Sequence, residues 1–157
     1  MSTRANIIIK DERFNDSLIF YRHSDGYPEG TLPTLKKFML YVCSGKIRDN
    51  VEQSAGWLIL VGAKEYQKVY MGGGKYRMKN DITKPEKEPS DPKDFSGGME
   101  WKCGSYEPAT GIHGDIEYLY TLNLTKKTIL VQEVFDREKC ACRDIELIHC
   151  NKTTVLK

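Results

Sequence analysis

The chain has 157 residues, 39% of them hydrophobic, which suffices for one hydrophobic core, so we expect a single domain over residues 1–157. Lysine and arginine number 24 against 22 aspartates and glutamates, which gives no reason to invoke long-range attraction to nucleic acid or an anionic membrane. The longest apolar run, 56–63, is too short to cross a bilayer, and MSTRANIIIKD lacks the layout of a secretion signal, so we expect a cytoplasmic protein.

Two β-rich runs, at 5–10 and 17–22, open the chain and predict a hairpin through the turn-forming DERFND. Thr31 is a candidate cap for a first helix. The apolar face of that helix holds Leu35, Phe38, Met39 and Val42. Asn50 is a candidate cap for a second, VEQSAGWLILVGAKEY, whose apolar character on most sides predicts burial on most sides. A buried strand over WLILV is the competing interpretation.

Residues 67–100 lose all periodicity and combine GGG with three prolines and mixed charge, which predicts a flexible insertion. Strand-like runs follow at 101–106, 116–124 and 128–134, with a candidate edge strand at 145–150. This order predicts an α+β fold. Its mostly antiparallel sheet has two N-terminal and three or four C-terminal strands, with two helices packed on one face. Both strand groups must share the sheet to make one core, which can bring residues near 23 and 113 together.

Five cysteines, an odd number in a chain without an export signal, are predicted to be reduced thiols. They are Cys43, Cys103, Cys140, Cys142 and Cys150. The cluster KCACRDIELIHC offers soft ligands, but a C-x-C beside an H-C is not the usual spacing of a zinc site. We therefore favour the interpretation that these cysteines are ordinary packed side chains on a late strand over the interpretation that they bind zinc.

The motif His-x-Asp occurs twice, in YRHSDGYPEG at 21–30 and in GIHGDIEYLY at 111–120. On an extended strand, residues two apart share a face, so each copy can present an imidazole beside a carboxylate. A turn whose polar groups are hydrogen-bonded within the turn also explains the first His-x-Asp motif. In that interpretation Asp25 bonds the amide of Tyr27, and Gly26 and Gly30 supply positive φ.

The alternative interpretation of the two motifs is a ligand site. Arg22 and His23 beside a helix N-terminus suit a phosphate or carboxylate, and His113 with Asp115 would add an imidazole and an acid. The candidate ligand-binding residues are Arg4, Tyr21, Arg22, His23, Asp25, Tyr27, Glu29, His113 and Asp115. The spacing lacks a His-Glu-x-x-His pattern, so we predict no metal and no other cofactor. Basic and aromatic residues alternate at 67–80, which leaves a nucleic-acid partner open.

Four segments together resemble an uncharacterised family of small proteins found in phages and bacterial genomes. They are STRANIIIKD, FYRHSDGYPEG, GWLIL and YEPATGIHGDIEYLYTLNL, and the resemblance spans most of the chain outside 67–100. It implies a small phage-type accessory protein with a shared α+β fold, acting in the cytoplasm of the host cell. It implies no particular reaction.

Two functions follow as hypotheses. The first is a phage or prophage binding protein in counter-defence, monomeric or a homo-oligomer, which blocks a host protein or sequesters a phosphate-bearing nucleotide. The alternative is a small hydrolase of phosphodiester or nucleotide bonds. In it His23 and His113 are general acid and base, and Asp25 and Asp115 orient them. Whether the two histidines lie within a substrate's width of each other separates the hypotheses.

Overall fold

The computed structural model describes residues 3–66, 68–72, 75–78 and 106–150, with side chains described in 3–62 and 106–150. The elements in chain order are β1 (Ala5–Asp11), β2 (Asp16–Arg22), α1 (Pro28–Cys43), α2 (Val51–Tyr66), β3 (Lys68–Gly72), β4 (Lys75–Met78), β5 (Glu107–Ala109), β6 (Tyr118–Asn123), β7 (Thr128–Asp136) and β8 (Ala141–His149). None of the helices described is long and apolar enough to cross a membrane.

The main sheet has six strands in the order β5-β2-β1-β6-β7-β8. Strands β1 and β6 are parallel, and every other neighbouring pair is antiparallel. The helices pack on this sheet, so the predicted α+β fold is confirmed. The N-terminal and C-terminal strands share one sheet, as expected, because β1 pairs with β6 in its centre.

The core lies between the sheet and the helices. Along β1, Ala5, Ile7 and Ile9 are fully buried and point to the helical side, since side chains alternate along a strand. Pairing places Phe20 of β2 and Tyr120 of β6 beside Ile7 on that face. The helices contribute Leu35, Phe38, Met39, Val42, Val51, Ala55 and Leu58. Removing this apolar surface from water is the main force that holds the helices on the sheet.

The beginnings of the two helices differ from each other in how they are capped. Helix α1 begins at Pro28, a residue favoured in the first turn, and its cap Tyr27 makes no side-chain capping bond. The prediction that Thr31 caps α1 is therefore wrong, and the Thr31 hydroxyl instead donates to the Asp25 carbonyl at 2.7 Å. The predicted cap of α2 is confirmed, because Asn50 Oδ1 accepts the amide of Gln53 at 2.9 Å.

Helix α2 is less buried than its composition predicts. WLILV is helical, which excludes a strand, but only the stripe of Val51, Ser54, Ala55, Leu58 and Gly62 is buried among the described residues of the helix. Trp57 is 46% exposed, and Ile59, Leu60 and Val61 are half-buried. The prediction of burial on most sides was wrong, because none of the described elements packs on the outer side of α2.

Part of the predicted insertion is a hairpin. Strand β3 ends at the first glycine of GGG and pairs antiparallel with β4 as a separate two-stranded sheet, which suits their Tyr and Val residues. Residues 79–105 lie outside the described residues, so the flexible segment stays a prediction there. The predicted strand at 101–106 falls largely in that range, and β5 begins at Glu107. The predicted edge strand is confirmed as β8, although it begins earlier, at Ala141.

Candidate functional site

Tyr21 is the centre of the candidate site. Its neighbour Phe20 points into the core, so Tyr21 points to the opposite face of the sheet. There it lies between Asn6 of β1 and Glu107 of β5, its partners in the two ladders. The side chain is nevertheless only 2% exposed, because residues around it cover the ring. Tyr21 therefore supports other side chains and offers little surface to a ligand.

The two histidines of the repeated motif meet on Tyr21. His23 contacts the ring edge-to-face at 4.4 Å between centroids, and His113 stacks on it at 3.8 Å with planes 16° apart. Both imidazoles are exposed to solvent. Because both contact the same ring, the two imidazoles lie close to each other. We call Tyr21, His23 and His113, together with Arg4, Glu107 and Asp115, the imidazole cluster.

Asn6 fixes the loop that carries His113. Its Oδ1 accepts the backbone amide of His113 at 2.8 Å, and its Nδ2 donates to the Phe20 carbonyl at 2.9 Å. Asn6 is completely buried, and these bonds satisfy both ends of the amide. A second link joins the Glu117 amide to the Arg4 carbonyl at 2.8 Å. The position of the second motif thus depends on a residue that sequence analysis missed, an asparagine within a β-rich run.

The carboxylates pair differently from the expectation. His23 Nε2 lies 2.7 Å from Glu107 Oε1, whereas Asp25 does not join the cluster. Asp115 accepts the Tyr21 hydroxyl at 2.9 and 3.0 Å and contacts Arg4 Nε at 3.2 Å. The rule that residues two apart share a face holds on a strand, and β2 ends at Arg22, before His23.

Burial, and then the hydrogen bond to Asp115, raise the pKa of Tyr21 to about 12. Its hydroxyl is protonated at neutral pH and donates to the carboxylate. This bond holds Asp115 at the hydroxyl end of the ring, close to Arg4. The ion pair between Arg4 and Asp115 is 43% and 48% exposed, and such pairs contribute about 0–1 kcal/mol. A bound anion can therefore compete with Asp115 for Arg4.

Arg22 lies on the other side of the sheet. It is buried, its Nε donates to the Ser24 carbonyl at 2.8 Å, and its Nη2 reaches the Gly30 carbonyl at 3.4 Å. The guanidinium also lies over the Tyr106 ring, 5.1 Å from the centroid. These contacts tie β2 to the start of α1, so Arg22 is separated from the imidazole cluster.

The rest of the first motif forms the approach to α1. The positive φ that was predicted for Gly26 and Gly30 lies instead at Asp25, with φ 56°. Gly26 is needed for close packing, since an added Cβ would lie 2.9 Å from Ala5 Cβ and Thr3 O. Tyr27 and Glu29 are exposed at the start of the helix. Proximity to Asp25 raises the pKa of Tyr27.

Comparisons with known proteins leave the function to be argued from the site. No family model, curated protein or solved structure matches the chain. The resemblance of the four sequence segments to a phage and bacterial family stays a prediction. The function is therefore inferred from the chemistry of the imidazole cluster.

The described cysteines are free thiols with different surroundings. Cys140 is exposed beside the start of β8, whereas Cys150 is buried just after the end of that strand. The length of β8 therefore separates the two ends of the cluster KCACRDIELIHC. Burial raises the pKa of Cys150 to about 11, and the Cys43 thiol donates to the Cys150 carbonyl. Within the described residues no three His, Cys, Asp or Glu side chains are grouped as metal ligands. Cys103 lies outside that part of the chain.

Proposed function

We propose that the protein binds a small phosphate-bearing ligand, such as a nucleotide, at the imidazole cluster. The observation that supports this most strongly is the meeting of two exposed imidazoles on the buried ring of Tyr21. A rigid support of this kind lowers the entropy lost when the side chains bind a ligand.

Arg4 supplies positive charge for a phosphate, and the two histidines supply further hydrogen-bond donors. Arginine can donate two parallel hydrogen bonds to phosphate oxygens, and an imidazole donates one. The weak surface pair with Asp115 leaves Arg4 available to an anion. Phosphate recognition then requires no rearrangement of the sheet.

His113 supplies a surface for a base. Tyr21 occupies the inner face of its imidazole, whereas the residue as a whole is exposed. Ile112, the preceding residue, is also exposed. Bases stack on histidine and other flat side chains without a strict sequence preference. The pairing of a stacking surface with cationic groups favours a nucleotide over inorganic phosphate.

The biological role follows from the sequence resemblance. A small accessory protein of a phage or prophage can sequester a signalling nucleotide and so act in counter-defence. Blocking a host protein is the other form of this role.

Hydrolysis of a phosphodiester or nucleotide bond is the second candidate. It is favoured by the contact of 2.7 Å between His23 Nε2 and Glu107 Oε1, since a carboxylate that orients an imidazole suits a general base. His23 would take a proton from water as the water oxygen attacks phosphorus. His113 would donate a proton to the leaving oxygen. Glu107 thus takes the role that was predicted for Asp25.

A panel of mono-, di- and cyclic nucleotides tests both candidates. Calorimetry measures binding, and chromatography after long incubation measures products. We expect Arg4→Ala, His23→Ala and His113→Ala each to weaken binding at least about tenfold. His149→Ala and Arg48→Ala, which change exposed residues of the same types elsewhere, are the matched controls.

The results separate the candidates as follows. Binding without product supports the ligand-binding protein, and product formed over many turnovers and lost in His23→Gln supports the hydrolase. If no nucleotide binds, or if the cluster variants bind as well as the controls, the proposal is wrong.

A further inference from the structure

A groove between α1 and α2 lies on the side of the sheet opposite to the imidazole cluster. It has a volume of about 340 Å³. Its lining residues come from both helices and the loop between them, and they are Lys37, Tyr41, Lys46, Ile47, Trp57, Leu60 and Val61. The phosphate-binding proposal leaves this groove without a role.

The walls of the groove are apolar. Ile47 is buried, whereas Trp57 is exposed and Leu60 and Val61 are half-buried. Trp57, Leu60 and Val61 are spaced so that they form one stripe on α2. An apolar stripe on a helix normally packs against another element, and none of the described elements covers this one.

The rim of the groove is positively charged. Lys37 and Lys46 are both exposed, and Lys46 Nζ lies 5.5 Å from the centroid of the Tyr41 ring. Among the described residues neither lysine forms an ion pair, and the lining includes no acidic side chain. Charges of opposite sign on a partner would therefore be attracted to this rim.

We propose that the groove binds an amphipathic helix of a partner protein, whose bulky apolar side chains are flanked by aspartate and glutamate. The groove lies between two helices, whose backbone groups are already bonded, so recognition has to come from packed side chains. A second copy of this chain is a poorer occupant. In a symmetric contact the same groove would bring its lysines against the lysines of the copy.

Two synthetic peptides test this proposal. Both are 18-residue helices with leucine and phenylalanine along one face; one carries glutamate at all other positions, and the other carries lysine there. The chain has two tryptophans, so Trp101→Phe leaves Trp57 as the reporter of binding by fluorescence. If that variant does not fold, the indole N–H signal of Trp57 in the unmodified protein gives the same measurement by NMR.

We expect the glutamate peptide to bind at least about tenfold more tightly than the lysine peptide. The double variant Lys37→Glu, Lys46→Glu should lose this preference, since both lysines are exposed and outside the core. The matched control Lys36→Glu, Lys139→Glu makes the same change of charge elsewhere and should alter affinity by less than about twofold.

Three results would overturn the proposal. One is equal binding of the two peptides, or binding of neither, and another is an equal response of the groove variant and its control. The third is self-association in sedimentation that protects Trp57, which would make a second copy the occupant. Circular dichroism confirms that each variant is folded before these comparisons are made.

Discussion

His23-Ser24-Asp25 and His113-Gly114-Asp115 share one spacing but have different structures. In the first motif the histidine joins the imidazole cluster, while Asp25 turns away with positive φ toward α1. In the second both side chains join the cluster, with the histidine stacked on Tyr21 and the aspartate bonded to the Tyr21 hydroxyl. Neither motif lies on a strand, since β2 ends at Arg22 and Gly114–Asp115 forms a turn. Contacts with Tyr21, and not the shared spacing, therefore decide which of the four side chains come together.

The anchor of the second motif gives the largest expected effect. Asn6→Ala removes both side-chain bonds of a buried amide and leaves the His113 amide and the Phe20 carbonyl without their partner. We expect the free energy of unfolding to fall by about 2 kcal/mol, measured by urea denaturation. Gln132→Ala, which removes an exposed bond to Asp144, is the control and should cost less than about 0.5 kcal/mol. Equal losses would contradict the anchoring role of Asn6.

The two aspartates give the next comparison. Asp115→Asn replaces a charged acceptor of the Tyr21 hydroxyl and of Arg4, so we expect a loss of about 1 kcal/mol. Asp25→Asn keeps a residue type that tolerates positive φ, so it should stay within about 0.5 kcal/mol of the original protein. Thermal and urea unfolding of both variants measure the difference. If Asp25→Asn lost more stability than Asp115→Asn, Asp25 and not Asp115 would be the aspartate that supports the structure.

The dependence of stability on alkaline pH should differ between the tyrosines that contact the two aspartates, Tyr21 and Tyr27. The pKa of Tyr21 is raised from its ordinary 10.0 to about 12, so protonated Tyr21 contributes stability in full below pH 10. That contribution is lost as the pH rises from 10 toward 12. Tyr21→Phe should therefore lose less stability than the original protein over this interval, in unfolding measured at each pH. The pKa of the exposed Tyr27 is also raised, chiefly by Asp25, and Tyr27→Phe should show a smaller difference.

The imidazoles themselves should have the smallest effect on stability. Both are exposed, and the contact of His23 with Glu107 is a surface pair. His23→Gln and Glu107→Gln should each change the free energy of unfolding by less than about 0.5 kcal/mol, measured by urea denaturation. A loss above about 2 kcal/mol would mean that the histidines are structural and that the turn interpretation of the first motif is correct.

The sequence alone determined the fold class and most of the elements. Two β-rich runs joined by a turn-forming segment predicted the N-terminal hairpin, and helical spacing predicted α1 and α2, because these signals follow from the local geometry of each element. The need for one hydrophobic core predicted that strands from both ends of the chain share one sheet. The sequence did not predict the β3–β4 hairpin, since the glycines between its strands were taken as the mark of an irregular loop.

Tertiary structure alone decided which side chains meet. Glu107 is 84 residues from His23, and Asn6 is 107 residues from His113, so no local pattern marks either pair. Arg22 and His23 are adjacent in sequence, but Arg22 lies over the buried Tyr106 ring, whereas His23 contacts Tyr21 on the other side of the sheet. Likewise, the apolar character of α2 showed that it needs partners, but only the packed structure showed that Trp57 and its stripe face an open groove. Periodicity sets the direction of a side chain within its element, and the packing of distant elements sets what it touches.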